Sequence, residues 1–366
     1  MKIGILGTRG IPNQYGGFEQ FAEYLAPGLV ARGHEVWVYN SSTHPYKESS
    51  WQGVNIIHCY DPENKIGTAG QFVYDFNCIR DARLREFDVV LQLGYTSSSV
   101  WGPWLPENAV VFTNMDGLEW KRSKYNKLVQ KYLIRAEEWA IKTSDVLIAD
   151  SLGIRDYLQD TYHKHSEFIA YGAEPLEKKN PEVLNQWQLS ADDYYLLVAR
   201  MEPENHIEVI LDGYMQSGVE RPFVVIGRTE NTYGKRLVEK YAKAPRVKFL
   251  GAIYDMDALN QLRHYCSLYF HGHSVGGTNP SLLEAMACET LIVAHNNPFN
   301  RAVLEEDGLY FDDAEGVCNW IREVRSGEMD EKKARNLEKI KTQYRWEQII
   351  DRYEQVFIKH LERLRS

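Results

Sequence analysis

Two successive series of short apolar runs, each run separated from the next by a helical stretch, leave this chain few folds to choose from. The first series is Lys2–Leu6, Glu35–Tyr39, Asp88–Leu93, Ala109–Thr113 and Asp145–Ala149, with helices expected over Phe18–Ala31 and from about Asn126 to Lys142. The second is Tyr194–Val198, Phe223–Ile226, Val247–Leu250, Leu268–His271 and Leu291–Ala294, with helices over Ile207–Gln216 and Pro280–Ala287. Such alternation predicts parallel sheets covered by helices on both faces. The economical α/β architecture is two Rossmann-like domains facing across a cleft, with ligands at the carboxyl ends of the strands. A length of 366 residues suits two cores. The polar stretch from about Ala173 to Asn185 carries Pro175 and Pro181 and suits a hinge. Domains are therefore expected over 1–172 and 173–344. Pro27-Gly28 should kink the first helix or split it.

A formal charge of −9 disfavours a nucleic-acid binder, which needs a basic footprint. One basic stretch stands apart: Lys121, Lys124, Lys127, Lys131 and Arg135, the last four spaced to share a helical face. It reads either as a solvated surface or as an electrostatic foot on an anionic membrane. No apolar run is long enough to cross a bilayer, and the N-terminus lacks the pattern of a secretory signal, so a cytoplasmic location is expected. The five cysteines are scattered without ligand spacing, which predicts reduced, buried thiols and no zinc site.

The segment from His271 to Ala287 carries the strongest chemistry. A strand ends, Gly276-Gly277 follows, and Asn279-Pro280-Ser281 opens a helix with a preferred cap and a preferred first residue. Free amides there, around Gly277, Thr278, Asn279, Ser281 and Leu282, are expected to receive a diphosphate at the positive end of the helix dipole. Glu284, one turn in, can accept hydrogen bonds from ribose hydroxyls. Arg200 follows the strand that opens the second half, where a planar guanidinium can bind two phosphate oxygens. In the N-terminal loop the GxGxxG fingerprint is missing and no acid ends the second strand, which disfavours a nicotinamide cofactor. Gly16-Gly17 reads instead as a second amide cradle or a plain tight turn. After another strand, Asp116 and Glu119 could orient or deprotonate an acceptor hydroxyl, and Trp120 could stack on a sugar. Asp312-Asp313 reads as a solvated turn. His271 and His273 alternate along a strand end, so they are expected on opposite faces. No metal site is expected.

The His271–Ala287 segment resembles the nucleotide-binding motif of retaining glycosyltransferases of family four, in which two glutamates are separated by seven residues. Glu284 matches the second, which that family uses to hold the nucleotide ribose; Gly276 stands where the first would be. Arg200 matches the arginine of a diphosphate clamp, and Asn205 stands at the clamp's lysine. With the opening glycine loop and Asp116–Trp120, these segments are similar to bacterial rhamnosyltransferases of capsular and cell-wall polysaccharide assembly. The resemblance spans nearly the whole chain. It implies a GT-B fold whose closing helix, about 345–366, completes the first domain. It also implies metal-independent retaining transfer from dTDP-L-rhamnose, with no cofactor beyond the nucleotide sugar, to a lipid-linked saccharide. Catalytic roles fall to Arg200, Glu284 and Asp116. A UDP- or GDP-sugar donor remains open, as do a sugar-nucleotide epimerase or hydrolase and a non-catalytic nucleotide-sugar sensor.

Overall fold

The computed structural model describes residues 1–14, 16–115, 117–122, 125–324 and 329–365. They form two compact units. The first holds the described residues of Met1–Lys121, Tyr125–Tyr171 and Trp346–Ser366; the second holds Arg122 and Gly172–Arg345, apart from 325–328.

The first unit is built on eight strands: β1 (Lys2–Leu6), β2 (Glu35–Ser41), β3 (Ser50–Trp51), β4 (Val54–Cys59), β5 (Val89–Leu93), β6 (Val110–Asn114), β7 (Val146–Ala149) and β8 (Ser166–Phe168). Their order is β3-β4-β2-β1-β5-β6-β7-β8, parallel throughout except for the β3–β4 hairpin. Every residue of β5 and β6 is buried, as expected of parallel strands covered on both faces. The one amide in β5, Gln92, is partly satisfied by donating to the Thr113 hydroxyl at 3.1 Å.

The first helix is not split: Gly17–Ala31 is one helix that passes through Pro27. The closing helix, Trp346–Arg365, packs so tightly there that a Cβ on Gly28 would lie 2.3 Å from Ile350 Cδ1. Trp346 stacks on Tyr24 at 4.6 Å, and Arg32 forms ion pairs with Asp351 and Glu354. Tertiary packing of this kind overrides local propensity.

The second unit has six parallel strands: β9 (Tyr195–Val198), β10 (Phe223–Ile226), β11 (Val247–Gly251), β12 (Leu268–His271), β13 (Ile292–His295) and β14 (Leu309–Phe311), in the order β11-β10-β9-β12-β13-β14. The order reverses direction between β9 and β12. In open parallel sheets, loops leaving two such neighbours diverge and leave a crevice at their carboxyl ends. Arg200 follows β9 and the His271–Glu284 segment follows β12, so both sequence candidates meet at that switch point.

Candidate functional site

The loop after β12 is held by its neighbour after β9. The Ser274 amide and hydroxyl both donate to the Glu204 carbonyl, at 3.1 and 2.9 Å. Gly272 sits so close that a Cβ there would lie 2.0 Å from the Asn205 carbonyl oxygen, a contact no other residue can make. Gly276 adopts φ +126°, in the region that favours glycine, and a Cβ there would meet open space. No side chain fills the place where the resembled family carries its first glutamate.

At the start of the Pro280–Ala287 helix the donors differ from expectation. Pro280 has no N–H, Asn279 Oδ1 accepts from the Ser281 amide at 3.0 Å, and the Asn279 carbonyl accepts from Leu282 and Leu283. The cap consumes the helix's own amides, because an Asn N-cap reaches N2 or N3 by design. Among the described residues, the amides of Gly276, Gly277 and Asn279 have no acceptor. The open donors therefore lie one step earlier, in the glycine loop, and still at the positive end of the helix.

One turn into that helix, the Glu284 carboxylate forms an ion pair with Arg263. Arg263 sits at the end of the Met256–His264 helix and is 1% exposed. Its Nη1 donates to Asn260 Oδ1 at 2.8 Å, and its Nη2 donates to Glu284. The Tyr269 hydroxyl is 2.5 Å from the Ser281 hydroxyl. Glu284 thus rests on a buried guanidinium.

Arg200 is exposed and has no ion-pair partner among the described residues. Asn205 is 4% exposed and its Nδ2 donates to the Arg200 carbonyl at 2.7 Å. It shapes the loop and brings no charge. His271 and His273 stack, with ring centroids 4.4 Å apart and planes at 18°. They share a side rather than alternate, because β12 stops at His271 and the turn at Gly272 ends the two-residue repeat. His206 stacks on His295 at 3.9 Å and points its Nδ1 at the Gly272 and Glu204 carbonyls, so that nitrogen is the one that donates. Burial pushes His271 down to about 3 and His295 to about 4; it also holds His273 well below its ordinary value, helped by His271, Arg200 and Arg122. His271, His273 and His295, whose charged forms burial disfavours, thus lie at the same carboxyl edge of the sheet as the open amides and Arg200.

Residues 181–343 match the family described as glycosyl transferases group 1, and residues 1–174 match a domain of unknown function, DUF1972. The chain carries a group 1 glycosyltransferase domain. No curated protein matches the sequence. Among solved structures, sucrose-phosphate synthase from Thermosynechococcus elongatus superposes with a TM-score of 0.79 at 18% identity, over 98% of this chain and 99% of that one. HepE of Anabaena in complex with UDP gives 0.74 at 15%, over 98% and 100%. A trehalose-phosphate synthase of Burkholderia xenovorans (UDP-forming, in complex with glucose-6-phosphate) gives 0.74 at 10%, over 98% and 100%. The fold is GT-B, and the chain is a glycosyltransferase.

In the first unit of the glycosyltransferase, the opening loop closes on a buried acid: Glu19 accepts from the Arg9 amide at 2.6 Å, and burial raises its pKa. Gly16 caps the first helix in extended conformation and Gly17 is its exposed first residue. Arg9 itself pairs with Asp61 and Glu63. Asp116 lies outside the described residues. Glu119 and Trp120 are partly buried on a short 3-10 turn, with Trp120 6.5 Å from the Tyr157 ring.

Besides Arg263, two residues of the first unit were not singled out from the sequence. Glu137, 2% exposed, accepts hydroxyl bonds from Tyr95, Tyr157 and Tyr162 at 3.0, 2.7 and 2.7 Å. Its spacing from Leu133, Ala140 and Ile141 is the periodic signal of a buried face. Asp75 is pushed up to about 6 by burial.

On the Lys127–Thr143 helix, Lys127, Lys131 and Arg135 are exposed, as is Lys121 before it; Lys124 lies outside the described residues. Leu128, beside Lys127, is 78% exposed. All five cysteines are buried and free. Asp312 accepts from Asn296, and Asp313 caps the Ala314–Glu323 helix. Among the described residues there is no group of three His, Cys, Asp or Glu side chains able to hold a metal, and no helix long and apolar enough to cross a membrane.

Proposed function

We propose that this glycosyltransferase is a retaining enzyme that moves L-rhamnose from dTDP-L-rhamnose to a lipid-linked saccharide during polysaccharide assembly on the cytoplasmic side of a membrane. The observation that carries the donor site is the convergence, at the β9/β12 switch point, of open amides at Gly276, Gly277 and Asn279, the exposed Arg200 and the braced Glu284. In this reading the amides and Arg200 hold the diphosphate while Thr278, Ser281 and Leu282 shape its pocket. Glu284 holds the nucleoside. Glycine at 276 gives the sugar room in place of a carboxylate. Glu119 and Trp120, with Asp116, serve the acceptor, the Gly16-Gly17 turn serves the donor, and a diphosphate oxygen takes the acceptor proton. The rhamnose assignment rests on the four resembling segments. The reading with a UDP-sugar donor is favoured by the HepE complexes with UDP and with UDP-glucose.

A thermal-shift panel decides the donor, since a ligand that binds only the native state raises its stability. At a concentration 100 times its Kd, dTDP-L-rhamnose should stabilise the protein by about 2.7 kcal/mol. A larger shift with UDP-glucose at that same concentration would reassign the donor. Donor consumption without any lipid-linked acceptor would mark a hydrolase or epimerase, and tight binding without turnover a sensor.

The exposed Lys121, Lys127, Lys131 and Arg135, with Leu128 among them, fit the surface of an anionic bilayer. Each basic side chain at such a surface is worth about 1 kcal/mol. The double variant Lys127→Glu with Lys131→Glu should weaken sedimentation with vesicles containing phosphatidylglycerol by at least roughly 30-fold. Transfer to a water-soluble acceptor should not change. Equal vesicle binding by both proteins would reject the surface.

A further inference from the structure

We propose that Arg263 is a positioning residue for the nucleoside end of the donor, acting through Glu284. The inference rests on the donor site proposed above. A guanidinium at 1% exposure is costly to bury, and replacing a buried ion pair with apolar groups of the same volume is often neutral or stabilising. The pair here is not optimised for stability: Nη1 and Nη2 have partners, while the buried Nε has none among the described residues. What Arg263 does achieve is orientation. It grips the Glu284 carboxylate directly. That contact falls on the helix that opens the donor pocket, and Arg263 reaches it from the neighbouring Met256–His264 helix.

A fixed cation under Glu284 holds the carboxylate plane, so that less side-chain freedom is lost when the ribose arrives. That effect does not reach the diphosphate, which is held by the glycine-loop amides and Arg200. Arg263 should therefore matter for a nucleoside diphosphate and be silent for pyrophosphate.

The test is calorimetric titration of UDP, dTDP and inorganic pyrophosphate into the native protein and into Arg263→Met, Arg263→Lys, Glu284→Gln and the Arg263→Met/Glu284→Gln double variant. Arg263→Met should weaken UDP and dTDP by about 10- to 30-fold and leave pyrophosphate within twofold. In the transfer reaction the donor KM should rise by a similar factor while kcat stays within about threefold. The double variant should bind nucleotide no more than about twofold worse than Glu284→Gln alone, because the two side chains act as one unit. Should Arg263→Met fail to fold, Arg263→Lys keeps the charge but loses the fork, and should show a 3- to 10-fold nucleotide loss with pyrophosphate again spared. Equal weakening of nucleotide and pyrophosphate, additive losses in the double variant, or native nucleotide affinity in the Arg263 variants would each overturn the inference. Native affinity in Glu284→Gln would instead reject the donor site on which it rests.

Discussion

Arg200→Ala should lower the turnover of sugar transfer by about 100- to 1,000-fold, the usual consequence of removing one preorganised donor from a developing charge. Leaving-group departure puts a second negative charge on the terminal phosphate, and the site has few cations to meet it. The loop that follows β9 brings Arg200 alone, since Asn205 is neutral, nearly buried and committed to the Arg200 carbonyl. The neighbouring imidazoles are held neutral by burial, so His271 and His273 supply no compensating charge near pH 7. Arg200→Lys should recover part of the loss, because it restores the charge without the two-pronged geometry. Asn205→Lys in the Arg200→Ala background should not recover it, because that side chain points into the loop. Release of nucleoside diphosphate at saturating donor measures all three. A kcat within threefold of native for Arg200→Ala would remove this residue from the chemistry.

The same site shows which physical signals a sequence transmits and which it does not. Asn279-Pro280 was legible as a helix start because capping is local, a matter of three consecutive residues. Which amides stay open was not, because the Asn279 side chain can turn inward and take the Ser281 amide for itself. The histidine pair was misjudged for a related reason. Two-residue alternation holds only while a strand lasts, and β12 ends at the first histidine. Arg263 gave no local signal: a basic residue in the last turn of a helix is favoured by the dipole alone, and only packing against the next helix buries it. Glu137 could have been found, since it lies in register with Leu133, Ala140 and Ile141 while its neighbour Glu138 pairs with Arg135. The sheets were legible because parallel strands buried on both faces read as plain apolar runs. The three-residue strands β8 and β14 were too short to register against chance.

Acid should separate the stabilities of the two units. In the second unit, burial holds His271 near 3, against about 6.5 for an unfolded chain, and lowers His273 and His295 as well. A histidine with a depressed pKa contributes its full stability above pH 6.5. That contribution is lost as pH falls toward the folded value, because the unfolded chain binds the proton first. At pH 5 the fully buried His271 alone withdraws about 2 kcal/mol, and the other two act in the same direction. The first unit is mixed: a lowered His44 acts in the same direction, while its buried carboxyl groups act oppositely. Asp75 is raised to about 6 and Glu19 and Glu23 are raised by the same burial, so the folded state takes up protons before the unfolded one. Between pH 7 and pH 5 Asp75 adds about 1 kcal/mol to its unit. Scanning calorimetry at pH 7 and pH 5, with limited proteolysis to identify the unit that opens first, should show the second unit melting well ahead of the first at the lower pH. His271→Phe fills a similar volume and carries no proton site. It should cut the second unit's acid sensitivity by about 2 kcal/mol. If that variant loses stability between pH 7 and pH 5 as steeply as the native protein, the buried imidazole is not the acid-sensitive element and the neutral character assigned to the pocket falls with it.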